Sequence, residues 1–203
     1  MYTSIKKYCD SLVLEFETIP QERKISLSKI SEYIKVKLSD KEPVSLTYIC
    51  THNSRRSHFG QIWAAVASNY YAISNVHSFS GGTESTEFNN NAIEALKRVG
   101  FKTKALGTDK NAIQLVSYDD GENALECFSK VYDHPKNPQD KFAAIMTCSE
   151  AEQNCPFIPN VELRIATTYD DPKLFDGTDL CEEKYDERCR QIALETLYVF
   201  SKI

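Results

Sequence analysis

The sequence predicts an α/β protein: a four-stranded parallel sheet flanked by helices, with an N-terminal helical extension and an inserted antiparallel β meander. Three observations predict it. Apolar runs at 44–49, 74–80, 141–147 and 160–167 have the length and composition of short strands, and the first two are each followed by a helical period. A strand–helix–strand rhythm implies right-handed crossovers and therefore parallel pairing. Between about 101 and 140 the rhythm changes to short alternating runs, separated by the turn sequences Gly107-Thr-Asp and Asp119-Asp-Gly-Glu-Asn.

The 203 residues suit one domain with additions: an extension over 1–43 and a main domain over 44–203 that carries the insertion at about 101–140. Hydrophobic residues make up 41%, and there are only 7 Gly and 7 Pro, so the chain can bury a proper core. A formal net charge of −5 gives no support to nucleic-acid binding. No window has the apolar length of a membrane span, and Met1-Tyr-Thr-Ser-Ile-Lys-Lys-Tyr lacks a signal-peptide apolar region, so the expected compartment is cytoplasmic, with no membrane partner. Seven cysteines, an odd number without regular short spacing, fit a reduced compartment better than a disulfide scaffold. They contain no C-x2-C pair for zinc, and nothing in the pattern calls for a cofactor.

Taken in order, Ile5, Tyr8, Leu12 and Phe16 share one helical face, as do Leu27, Ile30, Ile34 and Leu38. Ile19-Pro20 separates the two helices, because proline cannot continue a helix interior. Cys9 is expected to be a small packing residue. After the strand Val44–Ile49 a helix is expected from His58, then a strand over Ser74–Ser80 and a helix over Asn89–Val99 stopped by Gly100. The meander strands are expected at Phe101–Leu106, Ala112–Tyr118 and Ala124–Tyr132, with Cys127 structural. Thr178–Ile203 closes the chain as a long helix whose core face includes Tyr185, Cys189, Ile192, Leu197 and Phe200.

The chemistry concentrates where the first strand meets its helix, at Cys50-Thr51-His52-Asn53-Ser54-Arg55-Arg56-Ser57. A strand-to-helix turn aims several backbone N–H groups and a helix dipole at one point, which suits a tetrahedral oxyanion. The loop from Thr51 to Arg56 supplies those groups. Arg56, five residues beyond Cys50, can hold two anion oxygens while the thiol lies beneath the central atom. The positive field and a hydrogen bond from Ser57 favour a nucleophilic thiolate.

This loop resembles the phosphate loop of the low-molecular-weight protein tyrosine phosphatases and the thioredoxin-coupled arsenate reductases, which share one fold. Cys50, Asn53, Arg56 and Ser57 match the family pattern. His52 stands where a Gly is usual, so a histidine must fit without glycine's freedom at positive φ, and Arg55 stands where many members carry a second Cys. Ser80-Gly-Gly-Thr-Glu and the helix after it also resemble the family's second strand and helix.

The resemblance extends to two further places. Cys148-x6-Cys155-Pro156 is similar to the second and third redox cysteines of the arsenate reductases, a pair the phosphatases do not normally have. A disulfide needs Cα atoms within about 7 Å, so a helix between these cysteines would have to rearrange for them to bond. Tyr169-Asp170-Asp171-Pro172 resembles the general-acid loop, with Asp171 as the acid and Asp170 as the fallback. The paired tyrosines that grip an aryl phosphate in the phosphatase branch are missing after it; Lys173-Leu-Phe-Asp-Gly stands there.

The resemblance implies an arsenate reductase in which Cys50 attacks arsenate, Asp171 protonates the departing oxygen, Cys148 attacks Cys50, and Cys155 resolves that disulfide for reduction by thioredoxin. The alternative is a phosphatase that hydrolyses a phosphomonoester through a cysteinyl-phosphate at Cys50.

Overall fold

The computed structural model describes residues 1–121, 124–154 and 157–203. The central sheet contains β1 (Val44–Cys50), β2 (Val76–Gly82), β6 (Phe142–Met146) and β7 (Val161–Ala166) in the order β2-β1-β6-β7. Every neighbouring pair is parallel. Cys50 is opposite Gly82 and Ile49 opposite Met146, so the carboxyl ends of the strands gather Cys50 and the residues that follow β2 and β6.

The alternation of side chains along β1 and β6 divides the interior. Val44, Leu46, Tyr48, Ala143 and Ile145 face a large core shared with α1 (Thr3–Val13), α2 (Gln21–Ser39), α3 (Arg56–Tyr70), α4 (Asn90–Val99) and α6 (Cys181–Phe200). Ile49, Cys50, Phe142, Ala144 and Met146 pack in a smaller cluster with Cys148, Ala151 and Ile158, covered by the short helix α5 (Ser149–Asn154). The N-terminal helices contribute to the large core: Ile5, Cys9, Leu12, Leu27, Ile30 and Ile34 are all buried there, with Cys9 as a packing residue.

The insertion forms a separate three-stranded antiparallel sheet, β3 (Lys102–Leu106), β4 (Ile113–Ser117) and β5 (Leu125–Cys127). Its third strand is shorter than expected. Beyond Cys127 the backbone leaves the ladder because it braces the loop between β1 and α3: Ser129 Oγ donates to the His52 carbonyl and Lys130 N–H to Asn53 Oδ1. The turn residues Glu122 and Asn123 lie outside the described residues.

Other boundaries shift by two or three residues at most. The second strand runs Val76–Gly82, the closing helix Cys181–Phe200, and Gly100 ends α4 with φ 116°. The five residues expected on the core face of α6 are buried, from Tyr185 to Phe200. The largest difference in meaning is at α3, which begins at Arg56 rather than His58. Arg56, Ser57 and His58 thus occupy a first helical turn, whose N–H groups have no intrahelical acceptor. Among the described residues no helix is long and apolar enough to cross a membrane.

Candidate active site

The loop between β1 and α3 turns its carbonyls outward. The carbonyl of Cys50 accepts from Thr83 N–H, that of Thr51 from Glu84 N–H, that of His52 from Ser129 Oγ and that of Ser54 from Asn89 N–H. The N–H groups from Thr51 to His58 have no hydrogen-bond partner among the described residues. A run of unpaired amides at a helix start is an anion receptor. Gly82 makes the tight approach possible, since a Cβ there would lie 2.7 Å from the Thr51 carbonyl oxygen and 2.8 Å from Asn53 N.

The left-handed position of this loop is Asn53, with φ 45°. His52 is not left-handed, so it enters the loop without strain, and its Nε2 is 3.1 Å from Glu84 Oε1 at the surface. Asparagine tolerates the left-handed region, and here its side chain organises the site. Asn53 Oδ1 accepts from Lys130 N–H at 2.9 Å, which fixes the amide; its Nδ2 then donates to Ser57 Oγ at 2.8 Å. Ser57 Oγ already accepts that bond, so its own proton is left for Cys50 Sγ, 3.1 Å away. Cys50 is 3% exposed, at the floor of the loop.

Arg56 is held over the loop from the other side. Nη1 donates to the Tyr169 carbonyl at 2.8 Å and Nη2 to Asp171 Oδ2 at 2.6 Å, while Nε is buried without a partner. Asp171 also caps the short 3₁₀ turn Pro172–Phe175 through Lys173 N–H. Asp170, by contrast, has a side chain that is 94% exposed, with Arg188 as its neighbour at 3.7 Å. Asp171 is therefore the carboxylate that reaches the loop. The Arg55 side chain is shared: its Nε donates to the Tyr185 hydroxyl at 2.8 Å, and its guanidinium lies 3.7 Å from Asp176 and 3.9 Å from Asp171.

Cys148 follows β6 and shares the small apolar cluster with Cys50. Thr51 links it to the loop: Thr51 Oγ1 is 3.4 Å from Cys148 Sγ and donates to Glu150 Oε2 at 3.0 Å. Ala151 N–H points at the same sulfur from 3.3 Å. Cys155 and Pro156 lie outside the described residues, and α5 fills the interval before them. Three other cysteines have a different environment. Burial pushes the thiols of Cys9, Cys127 and Cys189 up to about 12, so they stay protonated at neutral pH.

Sequence reasoning missed Glu150, Tyr169, Tyr185 and Lys130 as parts of this site. Their contacts span 77 to 130 positions along the chain, and no local pattern announces them.

No family model matches the chain. An arsenate reductase from Halalkalibacterium halodurans is 25% identical to it over 138 residues, which cover 68% of this chain and 79% of the relative. Among solved structures, an arsenate reductase from Archaeoglobus fulgidus superposes with a TM-score of 0.50 at 15% identity, covering 77% of this chain and 98% of that one. A low-molecular-weight protein tyrosine phosphatase from T. tengcongensis gives 0.50 at 14% identity, with coverage of 79% and 99%. The chain therefore has the fold of the low-molecular-weight protein tyrosine phosphatases and arsenate reductases, a group of enzymes to which its sequence relative also belongs.

Proposed function

We propose that the protein is an arsenate reductase in which Cys50 is the nucleophile. The observation that carries this reading is the pairing of Cys50 with a second buried thiol, Cys148, in one apolar cluster bridged by Thr51. A phosphatase has no use for that second thiol. The arsenate-reductase relative supports the same choice of substrate.

The tetrahedral anion sits on the unpaired amides of Thr51 to Arg56, with Arg56 Nε and Nη2 on two of its oxygens. Cys50 thiolate attacks arsenic, and Asp171 donates its proton to the departing oxygen, which leaves as water. Cys148 thiolate then attacks Cys50 Sγ. The S–As bond breaks with its electron pair left on arsenic, which departs as arsenite, and a Cys50–Cys148 disulfide remains. Thr51 Oγ1 donates a hydrogen bond to Glu150 and keeps a lone pair for the Cys148 thiol, so the thiol proton passes to Glu150 as the hydroxyl takes one proton and releases the other. Cys155 displaces Cys50 to form Cys148–Cys155, and thioredoxin reduces that bond. Free thiols of this kind persist in a reducing compartment, the cytoplasm.

A phosphatase reading shares the first step and diverges at the adduct, which water would hydrolyse. The test is NADPH oxidation coupled through thioredoxin reductase and thioredoxin on addition of arsenate. Turnover lost in Cys148→Ser and retained in Cys9→Ser is the expected result. Rapid hydrolysis of an aryl phosphate by a protein that turns over no arsenate would establish the phosphatase in its place.

A further inference from the structure

A cavity of ≈ 210 Å³ between α3, β2 and the insertion is lined in part by Gln61, Phe79, Leu125, Phe128, Lys130 and Asn137. Two of its groups have no partner among the described residues: a lysine cation without a counter-ion, and a buried amide oxygen. Lys130 is 5% exposed, yet its Nζ has no hydrogen-bond acceptor or ion-pair partner among the described residues; it lies 4.8 Å from the centroid of the Phe128 ring. Asn137 Oδ1 is buried without a donor, while its Nδ2 is engaged by the Ser80 and Tyr132 carbonyls at 3.0 Å each. The second cation at this ring, Lys136, is already neutralised by Glu126. Burial pushes the Lys130 ammonium down to about 8, which still leaves it mostly protonated at neutral pH. A buried acceptor without a donor is costly in a folded chain, and it lines the same cavity as a cation without an ion pair, so one ligand can satisfy both.

The geometry points to a binding site for a small hydroxy- or amino-carboxylate. The carboxylate meets Lys130 Nζ, the hydroxyl or amino group donates to Asn137 Oδ1, and Phe79, Leu125 and Phe128 enclose a short carbon chain. Dianions such as phosphate and sulfate are disfavoured, because they are strongly hydrated, while the lining offers Lys130 as one cation without an ion pair and already carries the Glu126 carboxylate. The site is connected to the nucleophile. Lys130 N–H holds Asn53 Oδ1 at 2.9 Å, its carbonyl accepts from Gly82 N–H at 2.9 Å, and Asn53 positions the Ser57 hydroxyl that faces Cys50. A ligand that orders Lys130 thereby stiffens the phosphate loop, whichever oxyanion that loop takes.

The experiment is calorimetric titration of the full chain with sodium lactate, and separately with sodium sulfate at matched ionic strength. It compares the parent protein with Lys130→Met, Leu125→Trp and Arg56→Ala. Expected is saturable lactate binding in the parent and in Arg56→Ala, weakened at least about tenfold in Lys130→Met and lost in Leu125→Trp, which fills the cavity and keeps the ammonium. Removing an unpaired buried charge favours folding, so Lys130→Met remains interpretable. Lactate binding lost in Arg56→Ala but kept in Lys130→Met would belong to the phosphate loop and overturn the assignment. Absence of saturable lactate binding, or sulfate bound in the cavity as tightly as lactate, would overturn it too. None of these readouts depends on turnover.

Discussion

Arg56 and Asp171 meet across 2.6 Å, so the cation that would grip an oxyanion and the carboxylate that would protonate its departing oxygen are paired with each other. An entering anion competes with Asp171 for the guanidinium. The buried, unpartnered Nε and the unpaired loop amides are the groups that tip this competition toward the anion.

Asp171→Asn keeps the hydrogen-bonding shape and removes the proton. Steady-state turnover is expected to fall by about 10²–10³, with the Kd for the oxyanion unchanged or lower because Arg56 is released. Unaltered kcat in Asp171→Asn, together with a loss in Asp170→Asn, would move the acid role to the neighbouring residue.

Ser57→Ala removes the hydroxyl 3.1 Å from Cys50 Sγ. Alkylation of Cys50 by iodoacetate at neutral pH is expected to slow by about tenfold, the worth of one hydrogen bond to a charged acceptor. Asn53→Ala should do the same, since it orients that hydroxyl, and should also loosen the left-handed corner at φ 45°. Mass-spectrometric mapping of the alkylated peptide checks both.

Glu150→Gln tests the route for the Cys148 proton. Burst formation of the Cys50 adduct should be preserved, while formation of the Cys50–Cys148 disulfide slows by about 10². Its rate should recover as pH rises, because solvent hydroxide then replaces the missing acceptor. A variant with unchanged disulfide kinetics at every pH would remove Glu150 from the mechanism.

The N-terminal extension reaches the site through Arg23. Its guanidinium lies 4.7 Å over the Tyr169 ring and its Nε donates to Glu195 at 2.9 Å; the Tyr169 hydroxyl bonds the same carboxylate, and the Tyr169 carbonyl holds Arg56. Arg23→Ala leaves the buried Glu195 without its cation, held among the described residues only by the Tyr169 hydroxyl and the Gln191 amide. Denaturant unfolding should show a loss of about 2–4 kcal/mol, accompanied by weaker oxyanion binding.

His58 is fully buried, its ring 4.0 Å from that of Phe88 and tilted by 30°, with Nδ1 near Ser80 Oγ and Nε2 without a hydrogen-bond partner among the described residues. Burial, helped by the Lys130 charge, holds its imidazole well below 6.5. The unfolded chain therefore takes up a proton as pH falls below about 6.5 while the folded chain does not. This contribution to stability is full above about 6.5 and declines as pH falls toward the folded-state value, by up to about 1.4 kcal/mol per pH unit. Chemical denaturation from pH 7.5 to 5 should show that slope, and His58→Phe should flatten it.

The helical extension, the four parallel strands and the change to a meander near residue 101 were all legible, because each depends on the local period of apolar residues. The boundaries that moved did so where tertiary contacts took over. The third meander strand ends early because Ser129 and Lys130 bond the loop between β1 and α3. The first residues of α3 were hidden by polar side chains, Arg56 and Ser57, that face a site rather than a core.

By itself the sequence determined the loop between the first strand and its helix, since Cys50, Asn53, Arg56 and Ser57 lie within eight consecutive positions and their backbone geometry is local. It also determined that Cys148 follows the third parallel strand and that Asp171 lies in the loop beyond the fourth. Only the tertiary structure decided that Asp171 rather than Asp170 reaches Arg56, that Thr51 and Glu150 surround Cys148, and that Arg55 is diverted to Tyr185. Those choices depend on side-chain contacts at 2.6–3.4 Å between residues 97 to 130 positions apart, which arise only when separate strands and helices are packed together.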